Sequence, residues 1–145
     1  MRRLCSILGW LCGGVVFAGL AGGAIAASGD WSRNDHVEMR LISAVEAVGD
    51  REALPLGLQF RMKPGWKLYW RTPGDAGFPP LPAWQGSKNI ADVTVKWPAP
   101  NRFSIFGLET FGYVDAVILP LTAKLERRGE GVTLKASVDY LTCND

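Results

Sequence analysis

Apolar and polar residues alternate along the C-terminal part of the chain, residues 131–145. Every second residue from Val132 to Tyr140 is apolar or aromatic, and the residues between them are polar. A period of two is typical of a β-strand with one buried face. The pattern therefore predicts a strand that ends shortly before Cys143, so that a thiol lies just beyond the tip of the strand.

Alternation of the same kind predicts further strands over residues 36–44, 54–62, 66–70, 90–97 and 114–125, and an aromatic loop or short hairpin over residues 101–113. The turn residues at 63–65 predict that the second and third of these strands form a hairpin or meander. Pro120 predicts an edge position or a bulge for the strand that contains it. Since no long window after the N-terminal segment has the period of a helix, we expect an all-β protein, an immunoglobulin-like antiparallel β-sandwich.

Residues 71–82 contain too many prolines and glycines for a helix or a central strand. Phe78, Leu81 and Trp84 supply apolar groups that such a segment can bury. We therefore expect an ordered loop here and not a flexible linker.

The N-terminal segment has the layout of a secretory signal peptide. Arg2 and Arg3 precede an uncharged, apolar run that ends in small residues at 24–27. We expect a signal peptide over residues 1–27 and a single domain over residues 28–145. The alternative is an uncleaved membrane anchor, because the apolar run is as long as the roughly 20 residues of a spanning helix.

Charge and cysteine content narrow the classes of function. The chain has 16 Lys and Arg against 14 Asp and Glu, and the excess of two equals Arg2 and Arg3 of the signal segment. A neutral mature domain gives no reason to expect a nucleic-acid partner. Cys5 and Cys12 also lie in the signal segment. One mature cysteine, Cys143, remains, which in an oxidising compartment indicates a reactive thiol, an intermolecular bond or a partner outside this sequence.

The other reading of Cys143 is a small buried hydrophobic residue at a strand end. The charged residues nearest to it in sequence are acidic, Asp139 and Asp145. Nearby carboxylates disfavour a thiolate. Such a sulfur suits one half of a disulfide that another protein's thiolate attacks.

Other candidate chemistry is sparse, and we expect neither a metal nor a cofactor. His36 is the single histidine and is expected to be a solvated residue at a strand start. Met39 and Met62 fall on inward faces of predicted strands, which favours core packing over copper binding. A carbohydrate-stacking surface would depend on three tryptophans, Trp66, Trp70 and Trp84.

Several short motifs together resemble the periplasmic N-terminal domain of the thiol:disulfide interchange protein DsbD, and most closely its ScsB branch. They are GWKLYW at 65–70, WPAP at 97–100, FGLETFGY at 106–113, ILPL at 118–121 and DYLTCND at 139–145. The most specific part is the tyrosine followed by a cysteine at a strand end, after the Leu-Pro strand. The resemblance covers nearly the whole mature chain.

The resemblance implies a site and a role. In the family, a cysteine pair lies under a cap loop whose aromatic ring covers the sulfurs. Cys143 corresponds to the first cysteine, Phe106 to the cap aromatic or its neighbour, and Tyr69 and Tyr140 line the site. The alternative for Phe106 is simple core packing.

The role that the resemblance implies is that of a periplasmic domain that passes electrons to thioredoxin-fold oxidoreductases. These electrons come from a thioredoxin-like domain through a membrane domain of the same protein. Family members are linked to cytochrome c biogenesis and, in the ScsB branch, to copper tolerance. The family's second cysteine follows the first by a few residues, whereas this sequence stops at Asp145, so we expect a domain incomplete at its C-terminus.

Two alternatives to a disulfide-reductase module stay open. One is a non-catalytic secreted β-sandwich that binds a protein or glycan surface. The other is a copper-binding module that uses His36, Met39 or Met62.

Overall fold

The computed structural model describes residues 27–144. Apart from Ala27, the predicted signal peptide lies outside this range. Within it, eleven β-strands form and no helix has the length and apolar character needed to cross a bilayer. The strands are β1 (Ser32–Arg33), β2 (Val37–Ser43), β3 (Ala53–Met62), β4 (Trp66–Gly74), β5 (Leu81–Ala83), β6 (Asp92–Val95), β7 (Asn101–Ile105), β8 (Leu108–Val114), β9 (Ala116–Lys124), β10 (Ser137–Asp139) and β11 (Thr142–Asn144).

The strands form two main antiparallel sheets. One has the order β1-β2-β3-β9-β6, and the other has the order β11-β4-β8-β7. A separate two-stranded sheet joins β10 to β5. The two main sheets face each other across one apolar core, which confirms the predicted all-β sandwich.

The core follows directly from the alternating pattern. Leu58 and Phe60 of β3, Leu68 of β4 and Leu119 of β9 are fully buried, and Tyr113 of β8 packs with them. Successive side chains of a strand point to opposite faces, so the apolar residues at every second position share one face. That face points into the core. Met62 belongs to this core and Met39 packs against it, as predicted.

The predicted hairpin between β3 and β4 is wrong. β3 pairs with β2 and β9, whereas β4 pairs with β8 and β11. The turn at residues 63–65 therefore carries the chain from one sheet to the other. Turn residues predict a reversal of direction, but they do not decide whether the returning strand pairs with its neighbour or crosses the sandwich.

The edge position predicted for Pro120 is also wrong, since β9 lies between β3 and β6. The carbonyl of Pro120 accepts a hydrogen bond from Lys96 N at 2.8 Å, so its backbone faces the β6 side. The ladder with β6 ends at the pair Val95–Leu121. The missing N–H of the proline thus lies just past the end of the neighbouring ladder, where it costs little.

The C-terminal strand is shorter than its alternation predicts. Alternate residues from Val132 to Tyr140 are half-buried and those between them are exposed. However, the β-pairing of this stretch consists of β10, which pairs with β5, and one isolated bridge between Thr133 and Lys88. Cys143 lies inside a further short strand, β11, and not beyond a strand tip.

Candidate functional site

Cys143 lies on an edge strand of the four-stranded sheet. β11 pairs with β4, and Cys143 is directly opposite Lys67. The side chain is partly buried, and Sγ donates a hydrogen bond to the carbonyl of Asn144 at 3.3 Å. The sulfur is therefore neither sealed in the core nor fully exposed.

Tyr69 contacts this sulfur. Leu68 points into the core, so its neighbours Lys67 and Tyr69 point to the outer face of the sheet, and Cys143 shares that face with its partner Lys67. Burial raises the pKa of Tyr69 above 10.0, and a hydrogen bond and the charge of Cys143 raise it further. This direction follows if the hydroxyl donates to the sulfur, because the bond is lost when Tyr69 ionises.

Strand pairing places Lys67 directly opposite Cys143, which the sequence does not reveal. Lys67 is 8% exposed although it points to the outer face. Its Nζ lies 4.8 Å from the centroid of the Phe103 ring, a cation–π contact. The expectation that acidic residues lie nearest to Cys143 stays a prediction, and strand pairing adds a lysine directly opposite it.

Tyr140 precedes β11 and packs against the core, away from the contact between Tyr69 and the sulfur. Its ring packs edge-on against Phe60 at 5.7 Å, and its hydroxyl accepts a hydrogen bond from Nδ2 of Asn34 at 2.9 Å. Burial raises the pKa of Tyr140, and the bond from Asn34 opposes that rise. Tyr140 therefore supports the backbone that leads into β11, whereas Tyr69 touches the sulfur.

Asn34 is a structural residue that no sequence motif indicated. Its Oδ1 accepts hydrogen bonds from the backbone N–H groups of His36 and Val37, both at 2.8 Å. Its other amide atom bonds Tyr140, so Asn34 joins the start of the domain to the segment before Cys143. An Asn before a strand is a common turn residue, but the contact with Tyr140 spans 106 positions of sequence.

An open cleft of about 650 Å³ lies beside β11. Its lining is partly aromatic and includes His36, Trp66, Phe78 and residues 138–142. The rings of His36 and Trp66 stack with centroids 3.5 Å apart. His36 is therefore a half-buried wall of the cleft, and the expectation of a solvated histidine is wrong.

The structure does not bring Phe106 to Cys143. Phe106 and Gly107 form the two-residue turn between β7 and β8, with φ of 51° and 82°. Positive φ at both positions is typical of a type I′ hairpin turn. The ring is 96% exposed, so the alternative of core packing is wrong. β7 and β11 are opposite edges of the sheet, and the assignment of Phe106 to a cap over the sulfur stays a prediction.

The loop between β4 and β5 covers Tyr69 instead. A Cβ on Gly77 would lie 2.3 Å from Cε1 of Tyr69, which means that the backbone lies directly on the ring. The expectation of a loop over the whole of residues 71–82 is partly wrong, because residues 71–74 continue β4 and residues 81–83 form β5. Phe78 and Leu81 are 41% and 51% exposed. The expectation that these two side chains are buried anchors of the loop is therefore wrong, and the fully buried residue is Pro80.

The remaining candidate residues form no second site. Among the described residues no three His, Cys, Asp or Glu side chains are placed to hold a metal ion. Trp66, Trp70 and Trp84 all pack against the core. Trp66 and Trp84 line different pockets, so they do not share one stacking surface.

Fold and site together define a β-sandwich domain that holds a cysteine sulfur against a tyrosine at a sheet edge. Residues 38–145 match the family described as thiol:disulfide interchange protein DsbD, N-terminal. The chain belongs to this family, as the sequence motifs predicted.

A solved structure is also similar: the N-terminal periplasmic domain of ScsB from Proteus mirabilis, with a TM-score of 0.59 and 26% sequence identity. The alignment covers 78% of this chain and 50% of the ScsB chain. The chain therefore spans about half the length of that solved domain. A search of curated proteins gave no match.

Proposed function

We propose that this domain is the electron-output domain of a periplasmic protein-disulfide reductase, and that Cys143 carries the exchange. The observation that carries the proposal is the position of the Cys143 sulfur. It is partly exposed at a sheet edge and lies against the Tyr69 hydroxyl in a domain of the DsbD N-terminal family.

The chemistry assigned to Cys143 is formation of a mixed disulfide. The Cys143 thiolate attacks one sulfur of a partner's disulfide, a new S–S bond forms, and the partner's S–S bond breaks. The partner's other sulfur leaves as a thiolate and takes a proton from water. Net reduction of the partner requires a second thiolate to attack the Cys143 sulfur, so that the partner sulfur leaves as a thiolate. The described residues contain one sulfur of this kind, so we assign them the first step.

The hydrogen bond between the Tyr69 hydroxyl and the sulfur supports this step. A donor aimed at a sulfur stabilises its anion, and the thiolate is the attacking species. Tyr69 is such a donor, and Lys67 places a positive charge on the same face of the sheet. The contact with Tyr69 supports the assignment of the exchange step to Cys143.

The partner class we propose is a periplasmic thioredoxin-fold oxidoreductase, which would meet the sulfur at the edge strand β11. The similar ScsB domain is described as periplasmic, and the apolar N-terminal segment is consistent with export. The electron source would be the membrane and thioredoxin-like domains of a longer protein of the DsbD type.

The test is a trapping experiment with the reduced protein. The probe is a thioredoxin-fold oxidoreductase that retains only its exposed active-site cysteine, activated as a thionitrobenzoate disulfide. We expect Cys143 to displace thionitrobenzoate and form a covalent complex, seen by colour release and on a non-reducing gel. Cys143→Ser should form none.

Activated glutathione is the matched control probe for recognition. A recognised partner should react at least about tenfold faster than glutathione, which corresponds to about 1.4 kcal/mol of recognition. Equal rates with the two probes would show a merely reactive thiol and would contradict the proposal. Binding of the partner that is unchanged by Cys143→Ser, with no covalent complex, would favour the non-catalytic binding domain instead.

A further inference from the structure

Tyr69 is held by a backbone contact that no side chain larger than hydrogen permits. Gly77 has φ of 111°, and a Cβ there would lie 2.3, 2.4 and 2.6 Å from three atoms of the Tyr69 ring. Real Cβ atoms essentially never approach other atoms so closely. Replacement of Gly77 by any other residue must therefore move the ring or the loop.

The loop that contains Gly77, residues 74–80, is fixed at both ends, and we call it the cover segment. At its start, Asp75 N donates to the carbonyl of Glu109 and Glu109 N donates to Oδ2 of Asp75, both at 2.9 Å. Gly74 has φ of 95°, and a Cβ on it would lie 2.2 Å from the Glu109 carbonyl oxygen. At its end, Pro80 is fully buried. The cover segment is therefore held by hydrogen bonds to Glu109 at its start and by a buried proline at its end.

The cover segment explains why Tyr69 is buried. Tyr69 points away from the core of the sandwich, yet only 6% of it is exposed. The ring lies between the outer face of the sheet and the backbone at Gly77. In this position its hydroxyl forms a hydrogen bond with the side chain of Cys143.

We propose that Gly77 is a positioning residue of the exchange site. Its backbone packs against the ring of Tyr69 and so keeps the Tyr69 hydroxyl at the Cys143 sulfur. This inference rests on the proposed function of Cys143 but adds a residue and a segment to it. Among the described residues, Lys67 and Tyr69 of β4 share this face with Cys143 of β11, and Oδ2 of Asp75 accepts a hydrogen bond from Glu109 N.

The first test follows the ionisation of Tyr69 by NMR of isotope-labelled tyrosine. In Gly77→Ala the ring loses burial or its contact with the sulfur, and each loss lowers the pKa of Tyr69 toward 10.0. The control is Gly129→Ala, since Gly129 also has a positive φ of 71° but has nothing within 4 Å of an added Cβ. If the pKa of Tyr69 in Gly77→Ala equals that in Gly129→Ala, the proposal is overturned.

The second test measures the reaction of Cys143 with a small aromatic disulfide. The thiolate attacks, one half of the reagent stays on Cys143, and the other half leaves as a coloured thiolate. Tyr69→Phe keeps the ring and removes the donor, and we expect the rate at neutral pH to fall about fivefold, the ratio for one hydrogen bond.

Gly77→Ala should lower the reaction rate of Cys143 by a similar factor. The double variant with Gly77→Ala and Tyr69→Phe should react no more slowly than Tyr69→Phe, because both changes remove the same contact. A rate that rises in Gly77→Ala would show that the cover segment only blocks access, and it would overturn the positioning role. Neither test uses a protein partner. Failure of partner trapping with these results intact would therefore count against the proposed function alone.

Discussion

Replacement of Asn34 by Ala tests whether a single side chain fixes the segment that leads to the sulfur. The change removes the acceptor for the N–H groups of His36 and Val37 and the donor to the hydroxyl of Tyr140. The partner groups lie beside an open cleft, so water can replace part of what is lost.

The expected cost follows from these three bonds. A side chain that caps backbone N–H groups is worth about 1 kcal/mol, and a further hydrogen bond at a part-exposed site adds about 0.5 to 1 kcal/mol. We therefore expect Asn34→Ala to lower the free energy of unfolding by about 1.5 to 2 kcal/mol. For a domain of this size the melting temperature should fall by about 5 to 10 °C.

The measurement is urea unfolding followed by circular dichroism, with Asn34→Asp as the matched control. Aspartate retains the acceptor for the N–H groups of His36 and Val37, so it should lose less than half as much stability as alanine. Asn34→Ala should also raise the pKa of Tyr140 further, because the bond from Asn34 holds it down. Equal losses for the two variants, or a loss below about 0.3 kcal/mol, would refute this reasoning.

Three further predictions concern the sulfur, alkaline pH and the sheet. Cys143→Ser should lower the pKa of Tyr69, because it removes the anion that opposes tyrosine ionisation; an NMR titration that shows no change would contradict the contact. Burial raises the pKa of Tyr113 to about 12. Stability should therefore be intact below pH 10 and fall as pH rises toward 12, since the unfolded tyrosine ionises near 10; Tyr113→Phe should weaken this dependence in pH-resolved unfolding, and an unchanged slope would exclude Tyr113 as its cause. A Cβ on Gly112 would lie 2.3 Å from the carbonyl oxygen of Leu68. Gly112→Ala should therefore separate β4 from β8 and lower the free energy of unfolding by about 2 kcal/mol or more. A loss of stability below about 0.5 kcal/mol would show that the ladder between β4 and β8 adjusts to the methyl group.

Alternation along the chain determined which residues form the core. Leu58, Phe60 and Leu119 are fully buried, and each lies on the face that a period of two predicts. The position of the thiol near the end of a strand-rich chain, and its family, were also readable from motifs around residues 65–70, 106–113 and 139–145. These features depend on local order in the sequence, so no knowledge of the fold is needed to find them.

Strand pairing decided what surrounds the thiol. The sequence has no lysine near Cys143, but pairing of β11 with β4 places Lys67 directly opposite. The same pairing brings Tyr69 to the sulfur, and the cover segment then confines its ring through Gly77. A period of two specifies the buried face of a strand, but it contains no information about which strand lies beside it.

The crossing of the chain from one sheet to the other after β3 was likewise decided by the tertiary structure. A turn at residues 63–65 suits a hairpin equally well, yet β3 and β4 belong to opposite sheets. Burial of the apolar faces of both sheets against each other favours the crossing, because a single sheet would leave one of those faces in water. The sequence by itself therefore determined the fold class, the core and the place of the cysteine in the chain, whereas only the tertiary structure decided which groups lie around its sulfur.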